Sequence, residues 1–148
     1  MGLLPELDQK KTAEAVRCFF KKEYPIALRI AGKNYNSLRS PVMDGMPSAT
    51  IQDKDRDKAI VKHADATLLI DNVKRAVQMV NEFDDTSGQI LLKAYADRKS
   101  ATQIAMDIGY SASRVSQLQQ NALCQFADYF EFLTRIDLHV WCSREITG

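Results

Sequence analysis

The residues best suited to chemistry in this chain stand close together in the stretch "SASRVSQLQQNAL", Ser111 to Leu123. They are hydrogen-bonding groups: serines, side-chain amides and one guanidinium. An amide can pair two-fold with adenine, a hydroxyl can bond several base edges, and a guanidinium suits phosphate. The chemistry they would do is recognition of duplex DNA. Ala112, Ser113, Ser116, Gln117, Gln120 and Asn121 form the expected base-reading edge, with Gln117 first among them. Lys93, Arg98, Lys99, Ser111 and Arg114 are the expected phosphate contacts. A merely solvated helix face has the same composition, so that alternative stays open.

Bond-making chemistry finds little support. "GYSAS" lacks the second glycine of a nucleophile elbow, and the two histidines, His63 and His139, stand in no triad pattern. His139 and Cys142 are three apart without a second ligand pair, so no metal is expected. No glycine-rich phosphate loop is present. Neither catalysis nor a cofactor is expected.

Groups that read DNA must be held rigidly, and the surrounding sequence offers the means. Ser100 followed by Gln103 is a capping box, Gly109 suits a left-handed helix stop, and Ser111 can cap a second helix. Ala105 supplies the small side chain needed where two helices cross, because bulk there would cost about 1–3 kcal/mol. Ile104, Ile108, Tyr110, Val115 and Leu118 take the inward positions. The pattern predicts a helix-turn-helix over 100–130, with an ordinary helical hairpin as the rival reading.

The rest of the chain reads as mainly α. Residues 1–32 are expected to hold one amphipathic helix, with Ala13, Val16, Phe20 and Tyr24 on its apolar stripe, Pro25 kinking or restarting it, and Gly32 stopping it. Residues 33–52, rich in Asn, Ser, Gly and Pro, are expected to be a linker or an ordered loop. A helical DNA-binding domain follows over 53–133. It opens on one long helix from Asp53 to Phe83, with a capping signal at Thr50 and Asp53 and apolar positions Ile60, Ala64, Leu68, Val73, Val77 and Val80. "DDTSGQ" breaks it, and a short helix with Ile90, Leu91, Ala94 and Tyr95 on one face ends near Asp97. In the second helix of the pair, Val115, Leu118, Ala122, Leu123, Phe126 and Phe130 face inward. The tail, 134–148, alternates Ile136, Leu138, Val140 and Cys142 with polar residues, which predicts either a short strand or a frayed helix end.

Composition sets the outer bounds. At 148 residues, 45% hydrophobic and 26% charged, the chain suits one domain with a core and an appended arm. No apolar run is long enough to span a bilayer, and the N-terminus lacks the pattern of a secretory signal, so a cytoplasmic location is expected. Cys18, Cys124 and Cys142 are odd in number and far apart, which argues for reduced thiols, with Cys18 and Cys124 as core fillers. Net charge is +1. From Thr86 to Asn121 the bases Lys93, Arg98, Lys99 and Arg114 outnumber the acids Asp97 and Asp107 only slightly, so one copy alone should bind DNA loosely. A homodimer, or a protein partner at a promoter, would supply the remainder.

"SASRVSQLQQNALCQFA" resembles the fourth conserved region of bacterial sigma factors, through Ser111, Arg114, Val115, Gln117, Leu118, Ala122 and Leu123. Ala112 and Ser113 stand where those factors carry charged residues that read the upstream promoter hexamer. The resemblance thus implies the helix geometry rather than that target. With "LPELDQKKTAEAVRCFFKKEYPIALRIAG" and "SPVMDGMP", the arrangement from Leu4 to Phe130 is similar to the ArpU family of phage transcriptional regulators. That resemblance implies a sequence-specific regulator from a Gram-positive phage or prophage, activating late genes for packaging, morphogenesis or lysis. It would work near the nucleoid, in contact with double-stranded DNA and host RNA polymerase. Pro25 departs from the continuous first helix the family implies.

Two rivals to DNA reading remain. The first helix, with Lys10, Lys11, Arg17, Lys21 and Lys22, could dock a protein. An oligomeric small DNA-packaging subunit is the other, and molecular mass in solution would separate it.

Overall fold

The computed structural model describes residues 6–40 and 54–142, apart from the side chains of 54–61. The capping signal at Thr50 and Asp53 and the side chain of Ile60 lie outside the described residues.

Helix α1 spans Gln9–Cys18 and begins where the Asp8 carboxylate accepts the Lys11 N–H at 3.0 Å. A π-helical turn, Phe19–Glu23, joins it directly to α2, Tyr24–Ile30. The Tyr24 N–H reaches back five residues to the Phe19 carbonyl. That widened turn lies just ahead of Pro25, whose ring cannot donate to a carbonyl and would crowd an α-helical turn. The chain therefore passes the proline without leaving the helix. Gly32, with φ of 69°, then ends it. Ala13, Val16, Phe20 and Tyr24 are buried as their spacing predicts.

A 3₁₀ turn, Tyr35–Arg39, follows. It falls within the stretch read as a linker or ordered loop, and here it is docked: Leu38 is buried, and Arg39 pairs with Asp97 at 2.6 Å.

Helix α3, Lys54–Phe83, is the long helix that the sequence predicts. Its buried stripe is Ala66, Ile70, Val73, Val77 and Val80, joined by Ala76. Ala64 and Leu68 are exposed, contrary to the expected stripe. The reason is spacing. Steps of four, three, four and three connect the buried set, whereas five residues separate Leu68 from Val73 and rotate it off the face.

Only Asp84 separates α3 from α4, Asp85–Tyr95. Its carboxylate accepts the Ser87 hydroxyl at 2.7 Å and caps the new helix. Gly88 lies at the crossing of α3 and α4. A Cβ there would fall 2.4 Å from the Asn81 Cα, so no side chain fits. Helices α5, Ala101–Ile108, and α6, Ala112–Thr134, complete the fold, and α6 packs against α1, α3, α4 and α5.

Most of the buried side chains form one core. Phe19, Phe20 and Tyr24 from the first helical segment meet Phe126 and Phe130 of α6, while Tyr95 stacks on Phe20 with ring centres 4.1 Å apart. Rings in offset and tilted contact bury large apolar areas against one another. The N-terminal helix thus shares the core of the domain. Cys124 is buried as expected; Cys18 is exposed, a correction, because it sits on the solvent side of α1 between Arg17 and the π turn.

Beyond α6, Arg135 takes a left-handed conformation with φ of 67° and releases the tail. The tail runs back to the start of α1. Asp8 N–H donates to the Val140 carbonyl, Cys142 N–H to the Glu6 carbonyl, each at 2.9 Å. This is one isolated antiparallel bridge, Leu7 with Trp141, and not the strand or frayed helix end expected. The alternation fails as well: Ile136 and Cys142 are exposed, whereas the His139 side chain is only 3% exposed. Among the described residues this bridge has no neighbouring strand to impose two faces, so local partners decide which side chains turn inward.

Candidate nucleic-acid interface

The two-helix unit is assembled by the local signals named above. Ser100 Oγ accepts the Gln103 N–H at 3.3 Å, and the Gln103 side chain accepts the Ser100 N–H at 3.0 Å, a reciprocal cap. Gly109 ends α5 with φ of 77°, donating to the Ala105 carbonyl at 2.9 Å. A Cβ on Gly109 would meet nothing within 4 Å, so the backbone angle alone demands glycine. Ser111 Oγ then accepts the Arg114 N–H at 3.1 Å and starts α6.

Beneath the turn lies a second, smaller apolar cluster of Ile90, Ile104, Ala105 and Val115, edged by Ile108 and Leu118. Ala105 and Val115 are buried, as the crossing of α5 and α6 requires. Ile90 brings α4 into this cluster, so the pair stands on a third helix. Tyr110 was expected inward and is 48% exposed. The left-handed Gly109 reverses the chain just before it and turns its ring to solvent.

The outward edge of α6 matches its expected composition. Ala112, Ser113, Ser116, Gln117 and Asn121 are exposed, and Gln120 is partly so. Arg114 is exposed too, and its Nη1 donates to Gln117 Oε1 at 3.3 Å. The leading base reader and the central cation therefore already touch.

The expected phosphate contacts are less free. Lys99 Nζ lies 2.6 Å from Asp107 Oδ2, and Lys93 Nζ lies 3.6 Å from the same oxygen. Arg98, with φ of 57°, places its guanidinium 4.2 Å from the centre of the Tyr35 ring. Asp97 beside it holds Arg39 through two hydrogen bonds of 2.6 and 2.8 Å. The structure brings Lys93 and Lys99 together on one acid and turns Arg98 toward the 3₁₀ turn. From sequence, Asp107 counts only as an opposing charge, and Tyr35 and Arg39 are missed as shapers of this surface. Separations such as eight residues between Lys99 and Asp107 match no helix-neighbour rule, so sequence carried no signal for them.

A different cluster forms in the tail. His139 Nε2 lies 2.6 Å from Asp128 Oδ1, while Nδ1 lies 2.6 Å from Asp137 Oδ1 and 3.0 Å from Glu131 Oε2. Both ring nitrogens face carboxylates, the arrangement of an imidazolium donating twice. It ties the tail to α6.

Comparison with known proteins gives one direction. The chain is similar to a protein of Enterococcus hirae named as an autolysin regulatory protein, ArpU, with 27% identity over 133 residues that cover 88% of this chain and 94% of that protein. This supports the resemblance to the ArpU family. No family model matches the chain, and no solved structure matches it. Among the described residues, no helix is long and apolar enough to cross a membrane.

Proposed function

We propose that this protein is a regulator that reads double-stranded DNA, with α6 entering the major groove from Ala112 onward. One observation carries the reading. The polar edge of Ser113, Ser116, Gln117 and Asn121 is exposed while the opposite side of the same helix is fixed by Val115 against Ile104 and Ile90. A helix braced behind and polar in front can present its side chains to base edges without first having to order itself. The regulatory name of the E. hirae relative points the same way. On this reading the protein is not an enzyme, and it comes from a phage or prophage whose late genes it activates.

The weak local charge surplus, with Lys93 and Lys99 both paired to Asp107, makes a lone copy a poor DNA binder. A homodimer or contact with host RNA polymerase completes the proposal. Lys10, Lys11, Arg17, Lys21 and Lys22 are exposed and available for such a contact. The decisive experiment is footprinting across late promoter regions, with and without polymerase. Protection of a discrete site, sharpened by polymerase, is the expected result. Uniform weak protection on every duplex would refute sequence-specific reading.

A further inference from the structure

A basin of about 350 Å³ opens between the first helical segment, the 3₁₀ turn and the end of α4. Arg17, Lys21 and Arg98 line it beside the rings of Phe20, Tyr35 and Tyr95, and no acid among the described residues does. We infer that this basin seats a phosphate of the DNA strand that borders the groove read by α6. The inference rests on DNA reading by α6 and adds a contact from the first helical segment.

The cations of the basin are free in a way that Lys93 and Lys99 are not. Arg17 and Lys21 are exposed and form no ion pair among the described residues, and Glu14, one turn back on α1, pairs with neither. Asp97, the acid beside Arg98, is already held by Arg39 through two hydrogen bonds. Arg98 itself is set in place by Tyr35. Its guanidinium lies over that ring at 4.2 Å, an arrangement that covers one face of the planar group and leaves its N–H edge to donate. Three positive charges around one space, without an acid among them, complement a phosphate.

Position ties the basin to the reading edge. Burial raises the pKa of the Tyr95 hydroxyl and of the Cys124 thiol, and the Arg17 charge opposes both rises, so this guanidinium stands near α4 and α6 alike. From α6, the Gln119 side chain meets the Tyr95 hydroxyl. Gln119 and Cys124 bracket Gln120, and Ser116 lies one turn before it, so Ser116 and Gln120 stand on the flank of α6 nearest the basin. Just beyond, α1 lies against α6, where the Cys124 thiol donates to the Gln9 carbonyl at 3.4 Å. A major groove is about 12 Å wide and walled by phosphates, so a helix inserted over its first few turns, about 16 Å, meets a wall where it leaves the groove. On α6 that exit is the stretch flanked by Arg17, Lys21 and Arg98. Lys10, Lys11 and Lys22 do not line the basin and stay available to a protein partner.

Binding of the full chain to random-sequence duplex across a salt series tests the contact. Arg17→Gln and Lys21→Gln should each reduce the slope of log affinity against log salt by about one unit, while melting with the wild type because neither side chain has an ion-pair partner to lose. Arg17→Lys keeps the charge and should keep the slope. On the site found by footprinting, ethylation of one phosphate at the edge of the protected groove should weaken the wild type and leave Arg17→Gln indifferent. Wild-type slopes from both glutamine variants overturn the inference and leave reading by α6 standing, whereas a wild type that binds no duplex overturns both. Unchanged slopes on DNA alone, together with loss of the protection that polymerase adds, overturn it too and assign the basin to a protein partner.

Discussion

Lys99 and Asp107 face each other across the length of α5, Nζ to Oδ2 at 2.6 Å, and Lys93 reaches the same carboxylate from α4. Two cations in the region expected to meet phosphate are thus held by one acid. The hydrogen bond from Lys99, with the charges of both lysines, keeps the Asp107 carboxyl below the usual aspartate range, so it is ionised wherever the protein would meet DNA. Asp107→Asn should release both ammonium groups. Its affinity for any duplex should rise, and the slope of log affinity against log salt should steepen by about one to two units. An unchanged slope in filter binding would mean that these lysines face away from DNA.

Arg114 and Gln117 touch each other but should fail differently when removed. Gln117→Ala should relax the choice of sequence while leaving binding to random duplex near its original level, because the amide is the proposed base reader. Arg114→Ala should weaken binding to all duplexes and reduce the salt slope by about one unit. Competition binding with specific and random DNA separates the two, and equal losses on both would contradict the assignment.

Gly88 and Gly109 are both required, for different reasons. A side chain on Gly88 meets the Asn81 backbone at 2.4 Å, so Gly88→Ala must force α3 and α4 apart, costing about 1–3 kcal/mol despite alanine's better helix propensity. Gly109→Ala has space but must hold a left-handed angle, costing about 1–2 kcal/mol. Urea denaturation should show both losses, and only Gly88→Ala should also loosen the α3–α4 contact by hydrogen exchange. A Gly88→Ala protein as stable as the wild type would refute the close approach.

The His139 cluster predicts a pH window for the tail. Burial opposes the proton on His139, but hydrogen bonds and charges from Asp128 and Asp137 outweigh it, and the ring's pKa is raised. Its contribution is therefore full below the ordinary histidine pKa and is lost as pH rises through the folded value. Asp137 behaves oppositely. The His139 backbone N–H heads the groups that lower its pKa, so its contribution is present above the ordinary aspartate value and is lost as pH falls through the folded one. Trp141, the single tryptophan, lies 5.2 Å from the imidazole, centre to centre, and reports on the ring. Its emission should change on the alkaline side as His139 loses its proton, and His139→Gln should abolish that step. A flat titration in the wild type would show that the ring is not protonated in the fold.

What the sequence by itself determined is what acts over three or four residues. The capping box at Ser100 and Gln103, the left-handed Gly109, the cap at Ser111 and the buried set Val115, Ala122, Leu123, Phe126 and Phe130 were all legible, because each depends on near neighbours along one helix. So was the exposed polar edge from Ser113 to Asn121.

Tertiary structure alone decided the contacts that join distant positions. The docking of Leu38, the pairing of Arg39 with Asp97, the need for glycine at 88, the tail's return to Leu7 and the burial of His139 depend on which helices cross and at what depth. Even the phase of the α3 stripe followed from its partners, since a helix with apolar residues on more than one side can bury only the side that its neighbours cover.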